Sequence, residues 1–469
     1  MTELVAETTS LCPECLERIP AQQIAEDGSV YLAKECAVHG AFKTLIWRGD
    51  AKSYREWVAY GQAAVPPYKS LTEHSLGCPY DCGMCSEHQA NACTMVIEVT
   101  GQCDLGCPVC FADSDGTRSS GPSLEAVEKM YDTVLEAAGN PTIQLSGGEP
   151  TLRHELPEII SMGKRKGFSH IMVNSNGIRI ARETDYAKRL KDAGASTVFL
   201  QFDGVTDDVY RYTRGRDLYE VKLRVLENCA RAGIGVLLVP TVKPGVNDHQ
   251  LGDIIRIAKA WIPTVRGIHL QPISYLGRFR APPRDEDRIT IPDVIEKLVQ
   301  QTGGELKADH FLPRRSQHSH CSFSGLFLLE DGRLKAITRR TPGKSGKEWA
   351  GYFRAPWESA RSFQSLHWQI SIEQVEAGTQ SPCVQGPYQE VAERGLTITC
   401  MPFQDIWNLD LERLKRCCGH VAQPDGRIIP FCSYYLTSAT GERLYEGPGS
   451  RGRGPGKDKE SHQAIKNRQ

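Results

Sequence analysis

Apolar positions between residues 95 and 302 alternate regularly between short continuous runs and longer amphipathic stretches. The short runs, typical of buried strands, lie at 95–100, 142–146, 170–174, 197–202, 234–242 and 267–273. The amphipathic stretches, typical of helices on a sheet, lie near 124–138, 155–166, 183–193, 218–232, 249–261 and 291–302. Six such repeats predict an α/β fold with a parallel sheet, here a partial (βα)6 TIM barrel. Chemistry in such barrels lies at the carboxyl ends of the strands.

The alternation stops on both sides of this segment, which divides the chain into five parts. The last part is rich in Gly, Pro, Lys, Arg, Ser and Gln, has little apolar surface to bury, and is expected to be disordered. We therefore predict a Cys/His metal ribbon at 1–49, a connector with a cluster module at 50–94, the barrel at 95–303, a second cluster domain at 304–446 and a disordered tail at 447–469.

Composition narrows the class of protein. A formal net charge of −1 gives no indication of a nucleic-acid partner. The amino terminus lacks the pattern of a signal peptide, and no run of apolar residues is long enough for a transmembrane helix. The 17 cysteines arrive in closely spaced groups, which is typical of metal binding in a reducing compartment. We expect a cytoplasmic protein with several iron centres.

The group that follows the first barrel strand is Cys103, Cys107 and Cys110, spaced C-x3-C-x2-C. Each iron of a [4Fe–4S] cluster needs an external ligand, normally a cysteine thiolate. The next cysteine downstream is Cys229, in a helical stretch typical of a buried core thiol. The triad therefore predicts a cluster with one open iron, which can bind a small chelating molecule.

Polar and glycine residues end the next strands of the barrel. Gly147 and Gly148 would let the backbone approach a ligand, and Glu149 follows them, although a turn with a solvated Glu has the same pattern. Further pocket candidates end the third, fourth and sixth strands, although such residues often only cap turns and helices. These candidates are Asn176, Gln201, Asp203 and Gln271.

The amino-terminal segment carries two short knuckles separated by about twenty residues. Cys12, Cys15, Cys36 and His39 have the spacing of a zinc ribbon or a rubredoxin-like site. Three thiolates and one imidazole predict a closed, structural, tetrahedral site. Zinc and a single iron both suit these ligands.

A second C-x3-C-x2-C group precedes the barrel and competes with the first for the open-iron site. Cys78, Cys82 and Cys85 are followed by Cys93, which can supply the fourth ligand. A fully ligated cluster has no open iron, so we interpret this group as an auxiliary [4Fe–4S] cluster. The reverse assignment is the alternative, but the barrel motifs follow the other triad.

The carboxyl-terminal segment offers ligands for a further cluster at long spacing. Cys321, Cys400, Cys417 and Cys432 supply four thiolates; Cys418 is an alternative to Cys417, which we prefer, and Cys383 has no evident partner. A basic group stands just before Cys321 and suits either a solvated surface or an anionic substrate. It consists of Arg314, Arg315, His318 and His320.

Several motifs together resemble one branch of the radical S-adenosylmethionine (radical SAM) superfamily, which contains the archaeal tetraether lipid synthases and the bacterial class D radical methylases. The motifs are HSLGCPYDCGMC at 74–85, EVTGQCDLGCPVCFADS at 98–114, LSGGEPT at 145–151 and TCMPFQDIWNLDLERLKRC at 399–417, followed by PDGRIIPFC at 424–432. The resemblance covers roughly residues 10–436 and implies a radical SAM barrel with an auxiliary cluster on each side.

The resemblance also implies roles for the strand-end residues. S-adenosylmethionine would chelate the open iron, with Glu149 and its glycines near the methionine amino group. Asn176 would contact the ribose, and polar residues at later strand ends would contact the ribose and the carboxylate. The implied partners are the substrate and an electron donor such as a reductase, flavodoxin or ferredoxin, and a lipid substrate would allow peripheral membrane contact.

The resemblance implies carbon–carbon bond formation at unactivated sp3 carbons, and we take an aliphatic, lipid-like substrate as the main reading. The alternative is methyl transfer to a small heterocycle such as a pterin precursor. A third reading, a non-catalytic electron carrier, has no need of an open iron beside a Gly-Gly-Glu motif. A long apolar tunnel would favour the lipid, and a compact polar pocket would favour the heterocycle.

Overall fold

The computed structural model describes residues 2–59, 66–314, 317–340 and 387–445, with side chains in the last range from residue 390. Arg315, Cys383 and the predicted disordered tail at 447–469 lie outside the described residues. Among the described residues, no helix has the length and apolar character needed to cross a membrane.

The amino-terminal ribbon is a four-stranded antiparallel sheet in the order β1-β2-β3-β4, followed by a short helix. The left-handed backbone at Asp27 and Gly28, with φ of 48° and 73°, closes the tight hairpin between the second and third strands. The elements are β1 Glu3–Leu11, β2 Arg18–Glu26, β3 Ser29–Cys36, β4 Gly40–Arg48 and α1 Ala51–Ala59.

The predicted α/β barrel is confirmed: its main strands form a parallel sheet in the order β5-β6-β7-β8-β9-β11. The strands are β5 Thr94–Thr100, β6 Thr142–Gly147, β7 Ile171–Ser175, β8 Thr197–Gln201, β9 Gly235–Val239, β10 Thr241–Val242 and β11 Val265–Pro272. The helices are α2 Leu124–Ala138, α3 Leu156–Arg165, α4 Ile178–Arg182, α5 Tyr186–Asp192, α6 Asp207–Arg214, α7 Tyr219–Ala232, α8 Leu251–Ala260 and α9 Ile291–Gln301.

Three details differ from the sequence prediction. The fifth apolar run is divided at Pro240, which has no N–H for a continuous ladder, into β9 and β10. The predicted helix at 183–193 is found as the shorter α5, and a separate short helix, α4, precedes it. Helix α6 was not predicted, although Thr206 and Gly215 mark its two ends as cap residues do.

The carboxyl-terminal strands continue the barrel sheet at both edges. β15 pairs in parallel with β11 and antiparallel with β13, while β16 pairs in parallel with β5 and antiparallel with β17. The elements are β12 Leu312–Pro313, β13 Phe323–Glu330, β14 Arg333–Ala336, α10 Pro387–Arg394, β15 Gly395–Cys400, α11 Leu411–Leu414, β16 Gly419–Ala422, β17 Ile428–Pro430 and α12 Phe431–Tyr434.

Alternation along β5 shows which side chains face the concave side of the sheet. Met95, Ile97 and Val99 belong to the large core shared with the barrel helices. Val96 instead packs in a second core with the carboxyl-terminal segment. Because side chains of a strand alternate between its faces, Glu98 shares the concave side with Val96.

Candidate active site

The loop after β5 brings the three cysteines of the first triad into one cluster of side chains. Cys107 packs with Leu105 and is buried, and Cys103 and Cys110 border the same cluster. Burial, together with the neighbouring Glu149 and Cys107, raises the pKa of Cys103 to about 12. Three thiols held at one strand end in a partly apolar setting suit a cluster, whose binding would displace their protons.

Gly147 and Gly148 hold this loop against the end of β6. A Cβ on Gly147 would lie 2.1 Å from the carbonyl oxygen of Thr100, and one on Gly148 would lie 2.0 Å from that of Gln102. The sequence predicted that these glycines admit a ligand. In the structure, backbone atoms that lead into the cysteine loop occupy the space where each Cβ would lie. The two glycines therefore fix the position of the three cysteines.

Glu149 is buried and joins the ends of β6 and β7. Its Oε1 accepts hydrogen bonds from the Thr151 hydroxyl and the Ser175 hydroxyl at 2.6 and 2.8 Å, and its Oε2 accepts one from the Asn176 backbone N–H at 2.7 Å. Burial raises the pKa of Glu149, and these hydrogen bonds oppose the shift. Oε1 is fully used, and Oε2 retains capacity for one further donor.

The side chain of Asn176 is already engaged. Its Nδ2 donates to Asp104 of the cysteine loop at 2.6 Å, and its Oδ1 accepts from the backbone N–H of Ile178 at 2.9 Å. The buried ammonium of Lys222 donates to its carbonyl oxygen at 2.6 Å. These hydrogen bonds fit the turn-capping role of Asn176, which was the alternative to a contact with the ribose.

Asp203 is engaged in a buried ion pair. It is fully buried and forms a two-pronged ion pair with Arg214, whose Nε and Nη2 donate at 2.6 and 2.9 Å. Arg214 also hydrogen-bonds the Cys107 thiol. Burial disfavours the charged guanidinium, but Asp203 and Cys107 outweigh burial and raise the pKa of Arg214. Asp203 thus fixes a cation beside a cysteine of the triad.

Polar side chains line the concave face at the ends of β6, β7 and β8. Asn174 donates from Nδ2 to the Ser146 hydroxyl at 3.2 Å. Asn174 Oδ1 and Gln201 Oε1 are buried oxygen atoms with no hydrogen-bond partner among the described residues. Gln271, in register with Thr241, is half-buried. The structure therefore keeps Gln201 and Gln271 as pocket candidates and adds Asn174.

The four predicted ribbon ligands come together. The ligand atoms of Cys12, Cys15, Cys36 and His39 all lie within 4.8 Å of one another. A tetrahedral zinc with Zn–S bonds of about 2.3 Å needs sulfur atoms roughly 3.8 Å apart, so this spacing suits one metal ion. Backbone N–H groups of the second knuckle lower the pKa of Cys36 to about 6, which favours a thiolate there.

The second cysteine group is only partly assembled as predicted. Cys78, Cys82 and Cys85 line one pocket with an empty volume of about 320 Å³. Cys93 is not among the described residues that line it, and instead hydrogen-bonds Cys418. The structure brings three of these predicted ligands together and places Cys93 towards the carboxyl-terminal group.

The carboxyl-terminal group also assembles in part. Burial and the neighbouring thiols of Cys432 and Cys321 raise the pKa of Cys417. Burial alone, with no contribution from another described thiol, raises the pKa of Cys400, which packs in the main core. Cys418 donates its thiol proton to Gln317 at 3.0 Å. The arrangement favours Cys417 over Cys418 as a cluster ligand. It does not bring Cys400 next to Cys321, Cys417 and Cys432.

The basic group before Cys321 is not a solvated surface in its described part. His320 is buried, with its ring 4.0 Å from that of Tyr54, and burial lowers the pKa of His318 to about 3. His320 lines a cleft of about 670 Å³, counting space open to solvent, between the ribbon and the carboxyl-terminal segment. Arg413 lines the same cleft and donates from Nε to the Cys321 sulfur at 3.1 Å.

Sequence analysis missed three charged residues that the fold buries or half-buries around the barrel. Arg214 ends helix α6, which the Thr206 and Gly215 caps could have revealed. Lys222 is fully buried on α7, where an apolar residue is expected. Glu98 stands in an apolar run at the end of β5, and a carboxylate there is itself a signal.

A partial α/β barrel with a C-x3-C-x2-C loop after its first strand and a Gly-Gly-Glu turn after its second defines a class of enzyme. Residues 97–258 match the Radical SAM superfamily, and residues 4–48 match the HMPTM N-terminal zinc ribbon domain. The chain belongs to the radical SAM superfamily.

The chain is also similar to individual proteins. The chain is 37% identical over 477 aligned positions to a 7,8-dihydro-6-hydroxymethylpterin dimethyltransferase of Methanocaldococcus jannaschii, which covers 91% of this chain and 92% of that protein. It is 35% identical to an Fe-coproporphyrin III synthase of Methanosarcina barkeri over 39% of this chain and 45% of that one. The solved structure of Streptococcus suis SuiB with its precursor peptide is 12% identical, with a TM-score of 0.38 over 46% of each chain.

The residues present fit the cofactors of this superfamily. Cys103, Cys107 and Cys110 are the three cysteines that a [4Fe–4S] cluster with an open iron needs, and Glu149 Oε2 can accept from an amino group beside them. When bound, the cluster and S-adenosylmethionine supply a 5′-deoxyadenosyl radical that removes hydrogen atoms from carbon. The chain itself positions the thiols through the glycine packing and the Arg214 cation.

Proposed function

We propose that this radical SAM enzyme transfers methyl groups to a carbon atom of a small heterocycle with a pterin-type ring. The observation that carries the proposal is the similarity along nearly the whole chain, 91% of it, to a protein named as a pterin dimethyltransferase. Relatives that match only the barrel share the radical chemistry with many substrates, whereas a match that includes the ribbon and the carboxyl-terminal segment also covers the surroundings of the barrel.

The concave face of the sheet supports a polar substrate. Glu98, Ser146 and Asn174 follow one another across three neighbouring strands, and Gln201 lies two residues beyond Phe199, the partner of Asn174 on the fourth strand. A saturated chain cannot donate hydrogen bonds to such a row, so binding one there would leave buried acceptors unsatisfied at about 1–3 kcal/mol each. A heterocycle with several N–H groups can satisfy them.

The comparisons support the heterocycle better than the aliphatic substrate that was the main expectation from the sequence. The auxiliary clusters belong to the same proposal: one at Cys78, Cys82 and Cys85, and one at Cys321, Cys417 and Cys432. We further propose a cytoplasmic enzyme that takes electrons from a flavodoxin- or ferredoxin-like donor.

Anaerobic incubation of the reconstituted enzyme with S-adenosylmethionine, a separate one-carbon donor, a strong reductant and reduced 6-hydroxymethylpterin tests the proposal, because S-adenosylmethionine that is cleaved to 5′-deoxyadenosine leaves its methyl group on methionine. Mass spectrometry should detect pterin with one or two added methyl groups, together with 5′-deoxyadenosine. A parallel reaction with a saturated-chain lipid should give no coupled product. A coupled lipid product, with no methylation of the pterin, would overturn the proposal and favour the aliphatic substrate.

A further inference from the structure

We propose that Glu98, held by Tyr434 and Tyr435, is the carboxylate that binds the substrate, and that it accepts two parallel N–H bonds from a guanidine-like edge. In a pterin this edge consists of the 2-amino group and the adjacent ring N–H. The inference rests on the proposed function and goes beyond it, because it names the part of the ring that is recognised and the residue that recognises it.

The register of the sheet places Glu98 at the polar row. Glu98 on β5 is paired directly with Ser146 on β6, and Ser146 accepts a hydrogen bond from Asn174 on β7. All three side chains therefore project from the same side of the sheet. Glu98 is half-buried as a residue, and burial raises the pKa of its carboxyl while the two tyrosine hydroxyls oppose the shift, so further N–H donors would favour the ionised form.

Two tyrosines fix the orientation of the carboxylate. The Tyr435 hydroxyl donates to Glu98 Oε1 at 2.7 Å, and the Tyr434 hydroxyl donates to Oε2 at 2.8 Å. An ionised carboxylate offers about four lone-pair sites, so each oxygen retains one acceptor position. Two free, parallel acceptor positions match an edge with two N–H donors, as the guanidinium of Arg matches carboxylates.

The same tyrosines connect this carboxylate to the cysteine loop. The ring of Tyr435 packs against that of Phe111, the residue after Cys110, with centroids 4.8 Å apart. Arg443 donates to the Phe111 carbonyl oxygen and lies 5.6 Å from the centre of the Tyr435 ring. A ring bound at Glu98 would thus lie beside the loop that carries the triad.

The two amide oxygens without partners among the described residues supply the second observation. Asn174 Oδ1 and Gln201 Oε1 are buried acceptors on the same side of the sheet as Glu98. With Glu98 they give this side of the sheet several acceptors that are not used within the described residues. Such a surface favours a substrate with several N–H donors over one that presents only acceptors, such as phosphate groups.

The test compares a pterin with its analogue that lacks the 2-amino group, on the reconstituted enzyme with S-adenosylmethionine bound. Pterin fluorescence measures binding, and 5′-deoxyadenosine formed without substrate measures the radical machinery. Glu98→Gln should weaken binding of the pterin at least about tenfold and should bind both compounds alike. The wild-type enzyme should prefer the pterin by a similar factor, and its substrate-free 5′-deoxyadenosine formation shows that the radical machinery is loaded.

Glu305→Gln is the matched control, because Glu305 is a partly buried carboxylate that pairs with Lys259 away from the concave face. It should bind the pterin as the wild type does. Equal binding of the two compounds by the wild type would overturn the inference without any variant, as would normal pterin binding by Glu98→Gln. A wild-type enzyme that neither binds nor methylates the pterin would instead overturn the proposed function together with the inference.

Discussion

At the scale of single residues, the position of the cysteine triad depends on two glycines, which have no Cβ atom. The carbonyl oxygens of Thr100 and Gln102 occupy the places where Cβ atoms of Gly147 and Gly148 would stand. The sequence predicted a functional turn, but the contact that explains its glycines lies between segments some 46 residues apart, since Gln102 and Gly148 meet only in the folded chain.

Gly148→Ala tests this packing. An added Cβ 2.0 Å from the Gln102 carbonyl oxygen must displace the loop, and overpacking of this kind costs about 1–3 kcal/mol or more. We expect the reconstituted variant to lose about four irons per chain, measured as iron and sulfide content. Gly116→Ala, whose Cβ would lie 3.8 Å from the Cys103 carbonyl oxygen, should retain them. Equal iron content in both variants would contradict the packing argument.

His170 gives a prediction about pH. It is 1% exposed, and burial, with the positive charges of Arg266 and Lys164, lowers its pKa from 6.5 to about 3. Between these two pKa values the imidazole is protonated in the unfolded chain but neutral in the folded one. The free energy of unfolding therefore falls as the pH drops from about 6.5 towards 3.

The measurement is urea unfolding of wild type and His170→Gln. Between about pH 7.5 and about pH 5.5, the wild type should lose about 1.4 kcal/mol more of its free energy of unfolding than the variant. Parallel losses in the two proteins would show that His170 is protonated in the folded state.

At the scale of elements, the ribbon is joined to the carboxyl-terminal segment by buried polar contacts. Asp410 accepts hydrogen bonds from the Thr8 hydroxyl and from Gln23 Nε2, both at 2.7 Å, and caps helix α11 through the N–H of Glu412. Lys34 of the ribbon donates to the carbonyl oxygen of Ile406. The metal ribbon thus forms one wall of the cleft beside Cys321.

Asp410→Ala should therefore destabilise the protein by about 2–4 kcal/mol, because it removes a helix cap and leaves buried donors without a partner. Asp425→Ala is the control: that carboxylate is 52% exposed and pairs only locally with Arg427, so its loss should change stability by less than about 0.5 kcal/mol. Urea unfolding monitored by tryptophan fluorescence measures both. Equal effects would show that the ribbon contact contributes nothing.

The elements themselves could be predicted from the sequence to a large extent. The strands and most helices follow from periodicity because each βα unit buries one face locally. Helix α6 was missed because its sequence is strongly polar, with only Val209 and Tyr210 as buried apolar residues. The positions of Cys93 and Cys400 could not be predicted, because spacing along the chain does not fix distances between segments brought together by β15 and β16.

At the scale of the whole molecule, the carboxyl-terminal segment adds strands to both edges of the barrel sheet. It reaches β11 through β15 and β5 through β16. This arrangement brings Cys432 and Tyr434 to the concave face that the barrel alone would leave open. The residue pair Glu98 and Tyr434, 336 positions apart, could not be recognised before that topology was known.

The iron content of the protein tests which cysteines hold the iron–sulfur clusters. Three cubane clusters and one ribbon metal predict about twelve irons in clusters per chain. Cys417→Ser should lower this number by about four, since its thiol lies with Cys432 and Cys321. Cys418→Ser should leave it unchanged, because that thiol donates to Gln317. A loss in the Cys418 variant alone would reverse the assignment.

Formation of 5′-deoxyadenosine tests the central claim most directly. The wild-type enzyme, loaded with iron and sulfide and strongly reduced, should cleave S-adenosylmethionine, while Cys107→Ala should form no product and still retain the metal of the ribbon. Cleavage by the Cys107→Ala variant at the wild-type rate would contradict the assignment of the open iron to Cys103, Cys107 and Cys110.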